Sequence, residues 1–162
     1  MTGKARDIPG VIVFPPLVPL AVLVVGALLD WLFPFALLNQ LPLAPRLVVG
    51  AGLFAAGLAL AIAGDRAFKG VGTNVNPMRP SLALASRGIF AHIRNPMYAG
   101  MGLGLFGIVL AFALEWTFVL TIVGLCVLHY GVVLREERYL ERKFGEDYRR
   151  YKASVPRYGW KL

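Results

Sequence analysis

Residues 97–134 read MYAGMGLGLFGIVLAFALEWTFVLTIVGLCVLHYGVVL, an apolar run interrupted only by Glu115 and His129. A membrane span needs about 20 mostly apolar residues, so the run is long enough for two helices that turn at Glu115–Trp116. Outward from it, Leu47–Ala63 carries no charge and Val11–Phe35 carries one, Asp30. Four spans are expected, at roughly 15–36, 46–64, 97–114 and 116–134. Composition agrees: 57% of the 162 residues are hydrophobic, 16% are charged and the mean hydropathy is +0.65, far more apolar than a soluble domain of this size. The expected fold is all-α: a polytopic, multi-pass integral membrane protein forming a single membrane domain. It divides into an N-terminal helical hairpin at 1–64, a cytoplasmic loop at 65–96, a second hairpin at 97–134, and a cytoplasmic C-terminal helical tail at 135–162.

Pro15, Pro16, Pro19 and Pro34 fall near the ends of the first span, where proline does not break a helix interior. The segment is too long for a signal peptide and lacks a small-residue cleavage site, so it reads as a retained span. Cys126 is the single cysteine, which excludes an intrachain disulfide.

Charge orients the chain. Sixteen of the seventeen Lys and Arg precede the first span, lie in 65–96, or follow Leu134; only Arg46 lies elsewhere. The positive-inside rule therefore puts both termini and the 65–96 loop in the cytoplasm. The net charge of +8 suits an anionic leaflet, whereas nucleic acid is a poor partner because the bases are mixed with acids and lie beside spans.

Glycines recur every seven residues at 50, 57 and 64, and Gly100 and Gly104 form a G-x-x-x-G. Both patterns fit close helix packing in lipid. Just before the third span, Asn95 is a favoured N-cap and Pro96 a favoured first helical residue. With Arg94 alongside, this helix start is either an anion site or an anchor for lipid phosphate. In the tail, Arg135–Phe144 contains strong helix formers and Gly145 suits a helix stop. Glu136 shares a face with Tyr139, Leu140 and Phe144 one turn beyond the apolar span, while Glu137 aligns with Glu141 on the charged side. A carboxylate at that depth wants a cation, either Arg94 or Arg135 or the ammonium of a ligand. A zwitterionic, amino-acid-like ligand would match Arg94 at its carboxylate and Glu136 or Glu137 at its ammonium. Tyr98, Tyr148 and Tyr151 could stack on it or face a cation.

Between about Thr73 and Tyr158, LALASRGIFAHIRNPMYAG (82–100), the glycine-rich hairpin and REERYLERKFGEDYRRYKASVPRYG (135–159) resemble the isoprenylcysteine carboxyl methyltransferase and phospholipid methyltransferase superfamily of integral membrane enzymes. The matching features are its Arg-His-Pro-x-Tyr motif, G-x-G, paired glutamates and F-G-x-x-Y-x-x-Y. The resemblance implies an S-adenosylmethionine-dependent methyltransferase with a cytoplasm-facing cofactor pocket and a lipophilic acceptor entering from the bilayer. That acceptor could be an isoprenylcysteine-type carboxylate, a phospholipid amine, or a small hydrophobic thiol or amine. Arg94, Asn95 and Glu136 become the expected catalytic residues. His92, Arg94, Asn95, Tyr98, Gly102, Gly104, Glu136, Glu137, Tyr148 and Tyr151 become the expected cofactor contacts, with Glu136 touching the cofactor and Glu137 orienting a neighbouring Arg or Tyr. Asn95 departs from the family's usual His, and His92 is near enough in sequence to compensate.

No metal constellation is present, and His129 reads as a packed or interhelical hydrogen-bonding residue. Three rival readings are a sterol-reductase-like NADPH-dependent membrane reductase, a non-catalytic membrane scaffold and a small transporter. Oligomeric state is open, because the glycine faces can pack within one chain or between two.

Overall fold

The computed structural model describes residues 7–159; Lys4, Arg6 and Lys161, which contribute to the charge asymmetry, lie outside them. The described residues form helices and no strands. Helix α1 spans Leu17–Leu32, α2 Leu43–Gly70, α3 Pro96–Phe112 and α4 Glu115–Leu128. A π-helical segment, His129–Val133, carries α4 directly into α5, Leu134–Ser154. Short 3-10 turns at Leu38–Gln40 and Gly88–Ala91 precede α2 and α3.

Two of these helices, α2 and the continuous α4–α5 rod, are long and apolar enough to cross a membrane, while α1 and α3 are shorter apolar helices. Large apolar side chains face outward along the helices, with Trp31 77% and Val48 72% exposed. Water does not tolerate such a continuous apolar belt, and lipid does.

Glycine decides which helices meet. A Cβ built on Gly57 would stand 2.5 Å from the Gly100 carbonyl oxygen, one on Gly50 2.7 Å from that of Gly107, and one on Gly64 2.7 Å from Met97 Cγ. The stripe at 50, 57 and 64 is thus the face on which α3 lies, antiparallel and at backbone contact. Helix α1 packs on α4 instead of α2, with Gly124 against Val22 and Gly26 against Thr117. The expected 1–64 hairpin is therefore a connection in the chain and not a packed pair, because the smooth face of α2 is already taken by α3.

The turn between α3 and α4 falls at Ala113–Leu114, slightly before the expected Glu115–Trp116, and Ala113 takes the left-handed conformation that ends α3. The two acids within the apolar runs are explained at this end of the bundle. Asp30 accepts hydrogen bonds from the Trp116 and Thr117 backbone N–H groups (2.8 and 3.2 Å) and the Thr117 hydroxyl (2.8 Å), satisfying the free N–H groups at the start of α4. Glu115 accepts from the Leu38 N–H at 2.9 Å. Gly145 has φ +55° and breaks α5, but the helix resumes and runs to Ser154, so the expected stop is a kink.

Candidate functional site

At the opposite end, Pro9, the last turns of α2, the 71–95 loop, the first turn of α3 and α5 meet around a partly open cleft. Asn95 and Pro96 occupy the N-cap and first positions of α3. The Asn95 side chain does not cap the helix; its amide nitrogen reaches the Arg157 carbonyl oxygen at 3.5 Å. The backbone does the rest: Arg94 N–H donates to Pro156 O (3.0 Å) and Asn95 N–H to Arg157 O (3.2 Å). These bonds dock the end of the chain beside the start of α3.

That docking delivers Arg157, which the sequence reading missed. Arg157 donates from Nε and Nη2 to the two oxygens of Glu137, each at 2.8 Å, a bidentate fork. Arg94 Nη1 lies 2.9 Å from Glu137 Oε1. Glu137 is 5% exposed; burial pushes its carboxyl up, but the Arg157 hydrogen bonds and the two guanidinium charges outweigh it and hold the group below the ordinary carboxylate range.

Glu136, on the adjacent face, has a different environment. Its Oε1 accepts a hydrogen bond from the Tyr98 hydroxyl at 3.0 Å, and among the described residues no basic side chain pairs with it. Removal from water raises its carboxyl to about 7, with the Tyr98 bond opposing and the Glu137 charge adding to the rise. Neither Arg94 nor Arg135 is the expected ion-pair partner: Arg94 turns to Glu137, and Arg135 donates to the Gly10 carbonyl at 3.1 Å.

The cleft brings together Arg94, Asn95, Tyr98, Glu136, Glu137, Tyr148 and Tyr151. Tyr148 is 1% exposed, and Tyr151 donates to the Phe90 carbonyl at 2.8 Å, fixing α5 over the turn before α3. Phe68 and Phe90, their rings 4.7 Å apart, add an apolar wall. Three other candidates stand apart from it. His92 is exposed outside the cleft. Gly104 lies against α2, its backbone nitrogen 2.7 Å from where a Gly57 Cβ would be. Gly102 lines a second cavity, an apolar groove of about 540 Å³ between α2, α3 and α4. Tyr98 lines both cavities, so one side chain separates the polar cleft from the apolar groove.

The charges can be counted. Two guanidiniums share one carboxylate, leaving a net positive charge, and Arg94 Nε, like Nε of Arg46 and Arg135, is buried with no hydrogen-bond partner among the described residues. Of these, Arg94 alone lines this cleft, where an anion would satisfy it. The unpaired Glu136 carboxylate calls for a cation. A zwitterionic amino-acid moiety fits both.

Comparison with known proteins agrees in kind. Over 37 residues the chain is 49% identical to an uncharacterized protein of Haemophilus influenzae, a match covering 23% of this chain and 59% of that relative's length. No solved structure matches the chain. Residues 45–147 match the model of the phospholipid methyltransferase family, and this span runs from the start of α2 through the paired glutamates to the kink in α5. By that match over well more than half its length, the chain belongs to the phospholipid methyltransferase family, within the isoprenylcysteine carboxyl methyltransferase-like superfamily of membrane methyltransferases.

Proposed function

We propose that the protein transfers a methyl group from S-adenosylmethionine to a lipophilic acceptor at the cytoplasmic face of a membrane. The observation that carries this reading is the pairing, in one cleft, of an arginine with an unsatisfied buried donor and a glutamate without a cation. Arg94 holds the amino-acid carboxylate and Glu136 the ammonium, while Phe68, Phe90 and Tyr151 offer an apolar wall to a heteroaromatic ring. Glu137 touches no ligand in this account; with Arg157 it holds Arg94 in place. Asn95 closes the site by tethering the C-terminal segment.

When bound, the cofactor supplies a methyl carbon already activated by a sulfonium. The chain's own task is to align the acceptor with that carbon and exclude water. The apolar groove receives the acceptor from the bilayer, and Tyr98 at the shared wall fixes the boundary between the reactants.

The topology proposed is four spans with both termini in the cytoplasm. Its support is the meeting of the N-terminal segment, the 71–95 loop and the tail at one end of the bundle, whereas Arg46, hydrogen-bonded to Asn39 and the Leu38 carbonyl, lies at the other. Incubation of the purified protein with methyl-labelled cofactor and a total membrane lipid extract tests the function. A labelled product that partitions with lipid is expected, and absence of any labelled product would contradict the reading.

A further inference from the structure

The apolar groove holds one polar pair. His129 Nδ1 lies 2.9 Å from the Tyr158 hydroxyl, and both side chains line the groove beside Tyr98, Gly102, Phe106 and Cys126. His129 is the first residue of the π-helical segment. Such a segment adds a residue to one turn and re-aims the side chains after it, so His129 lines the groove while Glu136 and Glu137, two turns on, line the cleft. Tyr130 packs edge-on against the imidazole, ring centroids 4.8 Å apart. Among the described residues Nε2 has no hydrogen-bond partner. The other ionisable groups near the imidazole are Tyr98 of α3, Cys126 and Tyr130 of its own helix, Glu137 of α5, and Arg157 and Tyr158 of the tail; α2 contributes none to this groove.

A carboxylate acceptor needs no base. An acceptor bearing an N–H or S–H must lose one proton for each methyl it gains, and nothing in the polar cleft is placed to take it, since Glu136 and Arg94 are committed to the cofactor. We infer that His129, positioned by Tyr158, is the general base that takes this proton. The inference rests on the methyl-transfer reading above. The acceptor's lone pair forms the new bond to the methyl carbon, the bond from that carbon to sulfur breaks with its electron pair kept on sulfur, and the acceptor's proton passes to His129 Nε2. In the tautomer that carries its proton on Nδ1, His129 donates to the Tyr158 oxygen, which keeps the lone pair on Nε2 and stabilises the imidazolium.

The protein has only two histidines, His92 and His129, so imidazole 15N resonances are assignable with His92 as an internal control. In nanodiscs saturated with S-adenosylhomocysteine, dodecylamine or dodecanethiol should shift the His129 Nε2 resonance and leave His92 unmoved. His129→Gln should slow labelled-methyl transfer into membrane lipid extract about a hundredfold or more, the range of general base catalysis, with S-adenosylhomocysteine affinity unchanged. Tyr158→Phe should slow turnover less than His129→Gln does and displace the pH–rate profile. An unmoved His129 resonance, an undiminished rate in His129→Gln, or a labelled product that is an alkali-labile methyl ester would overturn the inference while leaving methyl transfer in place. Failure of the wild-type protein to bind S-adenosylhomocysteine would overturn both.

Discussion

The Tyr98 hydroxyl donates to Glu136 across 3.0 Å, tying the first turn of α3 to the first turn of α5 over 38 positions of sequence. The same tyrosine forms the wall between the polar cleft and the apolar groove. A hydrogen bond that stabilises the Glu136 carboxylate therefore also fixes the wall between the cleft proposed for the cofactor and the groove proposed for the acceptor.

Glu136→Gln preserves shape and removes charge. If Glu136 pairs with the cofactor ammonium, the variant should bind S-adenosylhomocysteine at least tenfold more weakly, consistent with loss of a hydrogen bond to a charged group worth about 1.5–3 kcal/mol. Isothermal titration of the folded variant checks this, and unchanged affinity would remove Glu136 from the site.

The same group makes binding depend on pH. Glu136 is raised to about 7 without ligand, and the ammonium prefers the ionised form, so ligand binding must release a proton below that value. Affinity for S-adenosylhomocysteine should fall by about tenfold per unit as pH drops below 7 and level off above it. In Glu136→Gln the slope should vanish.

Glu137→Gln should behave differently, because Glu137 is the carboxylate that pairs with both Arg94 and Arg157. Leaving buried charges uncompensated costs about 3–5 kcal/mol. A large drop in thermal stability is expected, measured in detergent on a protein whose secondary structure is intact at low temperature. Because Glu137 is held below the ordinary carboxylate range, its contribution is present at neutral pH and is lost as pH falls through that lowered value.

Gly57→Ala tests the α2–α3 contact. The added methyl would meet the Gly100 carbonyl oxygen at 2.5 Å, and overpacking of this kind costs about 1–3 kcal/mol. Gly52, with nothing within 4 Å of its built Cβ, is the control; alanine there should leave stability unchanged or raise it slightly.

Local chemistry was the part of this molecule open to reading from sequence. The start of α3 falls at Asn95 and Pro96 as their residue types suggest, although the Asn95 side chain does not cap the helix, and the glycines at 50, 57 and 64 mark a face whatever lies on it. The helix that occupies that face is a tertiary outcome, so the chain order suggested an α1–α2 pair where the structure packs α2 on α3 and α1 on α4. Helix geometry sends Glu136 and Glu137 in different directions, but Glu137, aligned in sequence with Glu141 on the charged side, is buried against Arg94 and Arg157. Arg157 was invisible because its place depends on the chain turning back after Ser154 and pairing Pro156 and Arg157 with Arg94 and Asn95. The π-helical segment, which aims His129 at the groove, has no simple periodicity to announce it. Gly104, read as a cofactor contact, lies on the face of α3 that meets α2, which only the packing reveals.

Arg94 carries the central claim, that its unsatisfied buried donor awaits a carboxylate. The direct measurement is calorimetric titration of wild-type protein and Arg94→Ala with S-adenosylhomocysteine, with NADPH in parallel. Arg157 keeps its bidentate hold on Glu137 without Arg94, so the alanine variant should remain folded. The account predicts one binding site for S-adenosylhomocysteine, none for NADPH, and a loss of about 1.5–3 kcal/mol in Arg94→Ala that lysine restores only in part. Binding of NADPH in place of S-adenosylhomocysteine, or equal affinity in wild type and a folded Arg94→Ala, would contradict it.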